Sequence, residues 1–527
     1  MLTAALGFGG AVSAPHRAAA LAGRDVLAAG GTAVEAMTAM AAAVAVAYPH
    51  MNGIGGDAFW LIAPRGGDPV GISGCGRAAA RADPDWYAGQ GAADAIPTRG
   101  PLAALTAPGA IDSWRLALAA GPVRGLPLAD LLAPAIACAR EGVAVTENQR
   151  ATTEAKLDGL AGVPGFAEAF LMDGAPPPRG ARLRQPALAA TLETLAREGL
   201  GAFYRGDLAA AQADWLAAQG SPLRRADFEG FTAERVAPLS LDVSAGRLFN
   251  MTPPTQGVSA LMILGLFDRL GVREAEGFAH LHGLIEATKQ AFILRNAGLA
   301  DPDAMPEPAA AWLAPARLDA LAARIDRVRA LPWPAETRAG DTIWMGAADA
   351  EGTVVSFIQS VFWEFGSGMT CPETGVVFQN RGAAFTLGEG PNRLAPRKRP
   401  FHTLNPALAR LKDGRTLAYG TMGGEGQPQT QAALFTRHVV FGTELQAAVT
   451  APRWLLGRTW GDATTTLKLE DRFDPALVEA LAAAGHDVEM IGPFSDLAGH
   501  AGAVGLHLDG LIEAASDPRA DGAALAL

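Results

Sequence analysis

Arg338-Ala339-Gly340-Asp341-Thr342-Ile343-Trp344-Met345 is the stretch on which the fold turns. A Gly-Asp turn here delivers Thr342 onto the first residue of a predicted β-strand. The apolar run that follows ends in Asp349-Ala350-Glu351-Gly352, which is turn chemistry, and Thr353-Val354-Val355-Ser356-Phe357-Ile358 reads as the β-rich return of a hairpin. A hydroxyl held at a strand start beside a tight turn can attack its own preceding carbonyl. If the Asp341 to Thr342 bond breaks that way, Thr342 becomes a new N-terminus with both a nucleophilic hydroxyl and an α-amine. Such an amine has a reference pKa of about 7.7 to 8.0, low enough to act as the base for its own side chain. The same residues also fit an ordinary strand start, and a short motif alone does not choose between the two.

Blocks along the rest of the chain make the choice. Gly10-Ala11-Val12-Ser13-Ala14-Pro15-His16, Ala29-Gly30-Gly31-Thr32-Ala33-Val34-Glu35-Ala36 and Met51-Asn52-Gly53-Ile54-Gly55-Gly56-Asp57-Ala58-Phe59 come first. Thr106-Ala107-Pro108-Gly109-Ala110, Phe203-Tyr204-Arg205-Gly206 and Thr252-Pro253-Pro254 follow in order. After Thr342 come Phe365-Gly366-Ser367-Gly368 and Gly420-Thr421-Met422-Gly423-Gly424. Taken together, these resemble the γ-glutamyltranspeptidase family from about Gly7 to near the C-terminus. The resemblance implies an αββα sandwich of the N-terminal-nucleophile hydrolase type, a single intertwined unit made from two self-cleaved fragments. Residues 1–341 would form the large subunit and 342–527 the small one, sharing one core as an αβ heterodimer or a dimer of heterodimers.

Composition is compatible with that expectation. The chain has 527 residues, 49% hydrophobic and 18% charged, enough for a large buried core, and no low-complexity stretch or charge run divides it. A net charge of -11 without a basic stripe argues against a nucleic-acid partner. Cys75, Cys138 and Cys371 are too few and too scattered for a disulfide framework or a zinc site, so a reducing compartment is expected and no metal or cofactor is called for. Residues 1–9 lack a basic region, and the family-like signature begins almost at once, which points to the cytoplasm. The longest apolar run, residues 36–48, falls short of the ~20 residues of a membrane span. It reads as a buried helix stopped by Pro49 and leading into the Gly53-Ile54-Gly55-Gly56 turn. Because those glycines follow a helix rather than a strand, turn geometry explains them better than a phosphate cradle.

Periodicity predicts helices over residues 17–29, 32–48, 127–141, 185–198, 207–219 and 278–295, with strands at 59–63 and 239–243. After Thr342 strands are predicted at 376–379, 406–411 and 417–421, and helices at 430–441 and 475–484.

Roles carry over from the resemblance residue by residue. Thr342 matches the family's autocatalytic nucleophile, and Ser360 falls where the family has a second hydroxyl that hydrogen-bonds it. Gly423 and Gly424 match the paired glycines whose N–H groups form the oxyanion hole. Negative charge developing on a carbonyl oxygen needs preorganised donors, and losing one costs ~10²- to 10³-fold in rate.

Departures from the family pattern concern the substrate. Members acting on γ-glutamyl groups hold the α-carboxylate with an Arg-Glu pair and two adjacent serines; here these places read Ser73-Gly74-Cys75-Gly76-Arg77-Ala78 and His402-Thr403. The positions that read the α-amino group fall at Phe362, Arg381 and Ala384. A buried ammonium or carboxylate cannot lose its partners without a cost of several kcal/mol, so γ-glutamyl substrates should bind poorly. Arg381, His402, Thr403, Arg77 and Phe362 become the candidate substrate contacts, in a pocket smaller, more apolar and more favourable to anions. Each has a plain alternative: Arg381 could pair with Glu364 or Glu373, Arg77 could be a structural arginine, and His402 could simply bind backbone.

Six runs resemble the oxamate amidohydrolase subgroup of the family, threonine hydrolases of purine catabolism. They are Asp341-Thr342-Ile343-Trp344, Ser356-Phe357-Ile358-Gln359-Ser360, Gln379-Asn380-Arg381-Gly382-Ala383, Pro400-Phe401-His402-Thr403-Leu404-Asn405-Pro406, Gly423-Gly424-Glu425-Gly426-Gln427-Pro428-Gln429-Thr430, and the stretch from Ala451-Pro452-Arg453-Trp454 through Arg458-Thr459-Trp460-Gly461. That resemblance implies hydrolysis of a small carboxylate-bearing amide, oxamate, to oxalate and ammonia. A γ-glutamyl hydrolase or transferase with another clamp, a β-lactam side-chain acylase, and an uncleaved binding protein are the other readings.

Overall fold

The computed structural model describes residues 2–333, 341–457 and 464–527. Residues 338–340 of the expected turn, and 458–461 of the last subgroup-like run, lie outside them.

Two seven-stranded antiparallel sheets form the centre. In one, the strands run edge to edge as Ala523–Ala526, Gly10–Ala14, Asp341–Asp349, Val354–Phe362, Asp57–Ala63, Val70–Gly74 and Glu234–Val236. In the other they run Ala5–Gly7, Ile512–Ser516, Ala501–Leu506, Thr416–Thr421, Ala407–Leu411, Gly246–Asn250 and Leu239–Val243. Both faces of the central strands are buried: Val354–Phe362 and Asp57–Ala63 are buried at every position, including the polar Ser356, Gln359 and Ser360. Phe59, Leu61, Trp344, Ile358, Leu408, Ala418 and Val504 fill the space between the sheets.

Helices cover the two outer faces. Arg17–Ala28, Ala33–Ala47, Leu128–Glu141 and Pro186–Glu198 share one core with the first sheet. Gly257–Leu270, Phe278–Gly298 and Gln427–Phe435 share another with the second. The result is the expected αββα sandwich. Ala33–Ala47 is buried throughout because it is sandwiched between the sheet and its neighbouring helices, and its N-terminus carries a capping box from Thr32 and Glu35.

The predicted hairpin forms as Asp341–Asp349 and Val354–Phe362. Asp349 makes its turn with both carboxylate oxygens: Oδ1 accepts from Thr353 N–H at 2.9 Å and Oδ2 from Ala33 N–H at 2.8 Å, which ties the hairpin to the start of a covering helix. Most predicted elements match within a residue or two. Residues 376–379 do not form a strand; Val377 and Phe378 make only isolated bridges, to Thr370 and Gly55, because this segment crosses the end of the sheet rather than extending it. The helix predicted at 430–441 begins three residues earlier, at Gln427, and gives way to a wider turn at Thr436–Val440. Its first turn contains Pro428, which a helix start tolerates, and that start is part of the site.

Candidate active site

Thr342 is fully buried at the second position of its strand. Asp341 pairs with Phe362 and Ile343 with Gln359, so Thr342 faces the two residues Ser360 and Val361 across a β-bulge. Bulges re-aim side chains, and this one puts Ser360 opposite Thr342. Ser360 Oγ accepts from Phe362 N–H at 2.7 Å. Phe362 is left with φ 84°, a left-handed conformation unusual for a residue with a Cβ and a form of strain that concentrates at functional sites. Gly56, from the glycine cluster, lies against Ser360: a Cβ there would sit 2.0 Å from the Ser360 carbonyl oxygen. The cluster is therefore close-packed turn geometry, as expected.

Gly423 has φ 116° and leads into a single helical turn, Gly424–Gly426, that continues as Gln427–Phe435. The first N–H groups of such a segment have no partner within the helix and carry its positive end, a natural place for an oxyanion. The turn is braced from behind. Gln256 Nε2 donates to Gly424 O at 2.8 Å and to Thr403 O at 2.9 Å, while Gln256 Oε1 accepts from Arg295 at 2.9 Å. Arg295 also pairs with the buried Glu425.

Arg381 is wholly buried, and its guanidinium stacks on the Phe362 ring with Cζ 3.8 Å from the centroid. Nη1 donates to Thr403 Oγ1 at 3.2 Å. Nε and Nη2 have no hydrogen-bond partner among the described residues. Burial pulls this guanidinium down to about 9, with the nearby Asp57 carboxyl opposing the shift. Glu364 is not its partner, being held by Arg99 at 3.5 Å and Lys156 at 3.4 Å. Through Phe362, paired in register with Asp341, the cation sits beside the residue preceding Thr342.

The structure gives the other two expected cationic contacts different work. His402 uses both ring nitrogens internally: Nδ1 accepts from Leu404 N–H at 3.3 Å, which places the ring proton on Nε2, 3.0 Å from Asp57 Oδ2. Burial and the Arg381 charge hold its pKa well below the usual histidine value, so the ring is neutral. Arg77 pairs with Glu234 at 2.8 Å, with its side chain 40% exposed, and also binds Arg397 O. Neither is left with a charge for a buried anion. Of the five candidate contacts, Arg381, Thr403 and Phe362 are brought together and Arg77 is not; His402 lies in the layer beneath.

Asp57, His402 and Cys75 converge closely enough to invite a metal reading. The proton count opposes it, since His402 Nε2 bears the hydrogen donated to Asp57 and has no lone pair to offer. Asp57 Oδ1 accepts from Gly76 N–H and Gln379 Nε2, both at 2.9 Å. The cluster sets the buried Asp57 carboxyl under the Arg381 cation. The second convergence, His282, Glu286 and His486, is internally bonded: His282 to His486 at 2.9 Å and to Asp326 O, and Glu286 to Lys289 at 2.7 Å, with the ammonium of Lys289 disfavouring a further cation.

Sequence reading assigned no role to Asp57, Gln256, Asn405 or Gln427. All four are buried polar residues; Asp57, Asn405 and Gln427 sit in runs that had a visible signal, beside Gly56, Thr403 and Gly424, and Gln256 does not. Gln427 Nε2 lies 3.3 Å from Thr342 Oγ1.

The chain as a whole is similar to several known proteins. The family description Gamma-glutamyltranspeptidase matches residues 19–527. The chain is 50% identical to the oxamate amidohydrolase proenzyme of Klebsiella pneumoniae, over 98% of both chains. It is 39% identical to a glutathione hydrolase-like proenzyme of Bacillus subtilis, again over 98% of both. In structure it resembles the cephalosporin acylase from Bacillus halodurans with a TM-score of 0.92 and 30% identity, over 100% of this chain and 97% of that one.

Proposed function

Because this chain belongs to the γ-glutamyltranspeptidase family of hydrolytic enzymes, we propose that it is an autoprocessing threonine amidohydrolase acting on a small amide that carries a carboxylate, with oxamate as the substrate. One observation carries the substrate class: a fully buried arginine, Arg381, whose Nε and Nη2 have no hydrogen-bond partner among the described residues. Those two donors form a planar fork that suits the two oxygens of a carboxylate. An amide fused to that carboxylate would then extend from the cation towards Thr342. No ammonium site is needed, and none of Phe362, Arg381 and Ala384 provides one.

The chemistry follows from the groups present. Thr342 Oγ1 attacks the Asp341 carbonyl, the C–N bond breaks to give an ester and a free α-amine, and water hydrolyses that ester to fragments 1–341 and 342–527. The freed α-amine then takes the hydroxyl proton as Oγ1 adds to the substrate amide. The N–H groups of Gly423 and Gly424 bind the oxyanion, ammonia leaves with the transferred proton, and water releases oxalate from the ester. Arg381, with Thr403 orienting Nη1, holds the carboxylate throughout. A reducing cytoplasm suits three cysteines that are all unpaired, and no described helix is long and apolar enough to cross a membrane. A role in purine breakdown would follow from oxamate as substrate.

Ammonia release from oxamate, measured beside hydrolysis of a γ-glutamyl anilide and a glutaryl β-lactam, tests the assignment. Oxamate should be turned over fastest. Faster γ-glutamyl or β-lactam turnover would overturn the substrate and leave the nucleophile standing.

A further inference from the structure

Gln427 opens the helix behind the glycine turn, is wholly buried, and faces the Thr342 hydroxyl. Which end of its carboxamide does so is decided by its neighbour. Asn405 donates to Gln427 Oε1 twice, from its backbone N–H at 3.2 Å and from Nδ2 at 3.0 Å. A backbone N–H can only donate, so the oxygen of Gln427 must point to Asn405 and its NH₂ must point to Thr342. Asn405 is itself oriented, since Nδ2 also donates to Thr403 O at 2.8 Å. Thr342 Oγ1 is therefore the acceptor in this contact, and its own proton is directed elsewhere. At 3.3 Å the contact is long, as catalytic hydrogen bonds often are before substrate binds.

We propose that Gln427 is a catalytic residue that donates a hydrogen bond to the nucleophilic oxygen of Thr342. The inference rests on Thr342 being the nucleophile. When the Oγ1 proton passes to the base and the O–C bond forms, negative charge gathers on Oγ1, and the Gln427 N–H stabilises it. The same donor acts when water has added to the ester and the C–Oγ1 bond breaks, with the electron pair returning to Oγ1 before it regains its proton. Self-cleavage uses the same oxygen and should depend on the same donor. Gln427 differs from the oxyanion glycines in serving the attacking atom rather than the carbonyl oxygen.

The test compares Gln427→Leu, Gln427→Glu and Thr342→Ala with the parent enzyme. Fragment formation and ammonia release from oxamate are followed from pH 5.5 to 8.5, and thermal unfolding checks the fold. Gln427→Leu should lower kcat/KM by about 10- to 100-fold, the range for one hydrogen bond to developing charge. Gln427→Glu keeps the shape but donates only when protonated, so its rate relative to the parent should climb as pH falls. A merely structural role would not produce that trend. If a variant stays uncut, the rate of fragment appearance is read across the same pH series, because the attacking atom is the same. Gln427→Leu at the parent rate, or a Gln427→Glu ratio that does not rise towards acid, would overturn the proposal. An active, cleaved Thr342→Ala would instead remove its premise, a result distinguishable from failure at Gln427 alone.

Discussion

Arg381 concentrates the specificity question in one side chain. A charge-assisted hydrogen bond is worth ~1.5 to 3 kcal/mol, so Arg381→Met should lower kcat/KM for oxamate by roughly 10- to 150-fold while fragments 1–341 and 342–527 still appear. Oxamate turnover at the parent rate by a processed Arg381→Met enzyme would remove the arginine from the site. Its neighbour Asp57 adds a pH dependence. Burial pushes the Asp57 carboxyl up from 3.8 to about 7, against the pull of Gln379, the Arg381 charge and the N–H of Gly76. Below that value Asp57 is neutral and the Arg381 field is undiminished. As pH rises through 7 the carboxylate forms and cancels part of that field, so KM for an anionic amide should increase. Steady-state kinetics from pH 6 to 8 would check this, and Asp57→Asn should flatten the rise. The same shift has a stability sign: the folded protein keeps a proton that the unfolded chain releases near 3.8, so the stability it contributes is lost as pH climbs from about 4 through 7. None of this was legible from residue identity, because Asp57 and Arg381 are far apart in sequence and their coupling exists only where both are buried.

At the level of elements, the glycine turn and the segment carrying Thr403, which leads into the strand Ala407–Leu411, meet through Gln256. This side chain comes from the loop just before the helix Gly257–Leu270 and bridges two backbone carbonyls that belong to different segments. Gln256→Leu would remove one donor from each carbonyl, leaving Thr403 O with Asn405 Nδ2 and Gly424 O with Gln427 N–H, and would strand one Arg295 N–H, costing on the order of 1 to 3 kcal/mol if that group stays dry. The expected result is a lower thermal midpoint together with reduced kcat, since Gly423 and Gly424 would no longer be held in place. Unchanged kcat in a destabilised Gln256→Leu protein would mean that the turn is rigid without this brace. Gly423→Ala tests the turn itself: at φ 116° a Cβ is strained whatever space surrounds it, so turnover should fall while fragment association is retained. Turn glycines and hairpin residues announce themselves in sequence because their conformations are local. A bridging glutamine does not, since the two carbonyls it joins lie 147 and 168 residues away.

For the molecule as a whole, strands of the two expected fragments pair with one another in both sheets. Asp341–Asp349 pairs with Gly10–Ala14, Val354–Phe362 with Asp57–Ala63, and Ala407–Leu411 with Gly246–Asn250, while Ile512–Ser516 and Ala523–Ala526 pair with Ala5–Gly7 and Gly10–Ala14. Cutting before Thr342 should therefore leave one particle that separates only on denaturation. Size exclusion in buffer should give a single species containing both fragments, and separate elution without denaturant would contradict the interleaving. Sequence by itself determined the hairpin that carries Thr342, the glycine turn and, through ordered blocks that resemble the family, the αββα class, because turns, apolar runs and motif blocks are properties of neighbouring residues. Tertiary structure alone decided that Arg381 lies on Phe362 with two donors unpartnered among the described residues, that His402 is neutral beneath it, that Arg77 belongs to Glu234, and that Gln427 presents its NH₂ to Thr342. Those facts depend on burial and on which way a donor points, and both are fixed only when segments distant in the chain close around one another.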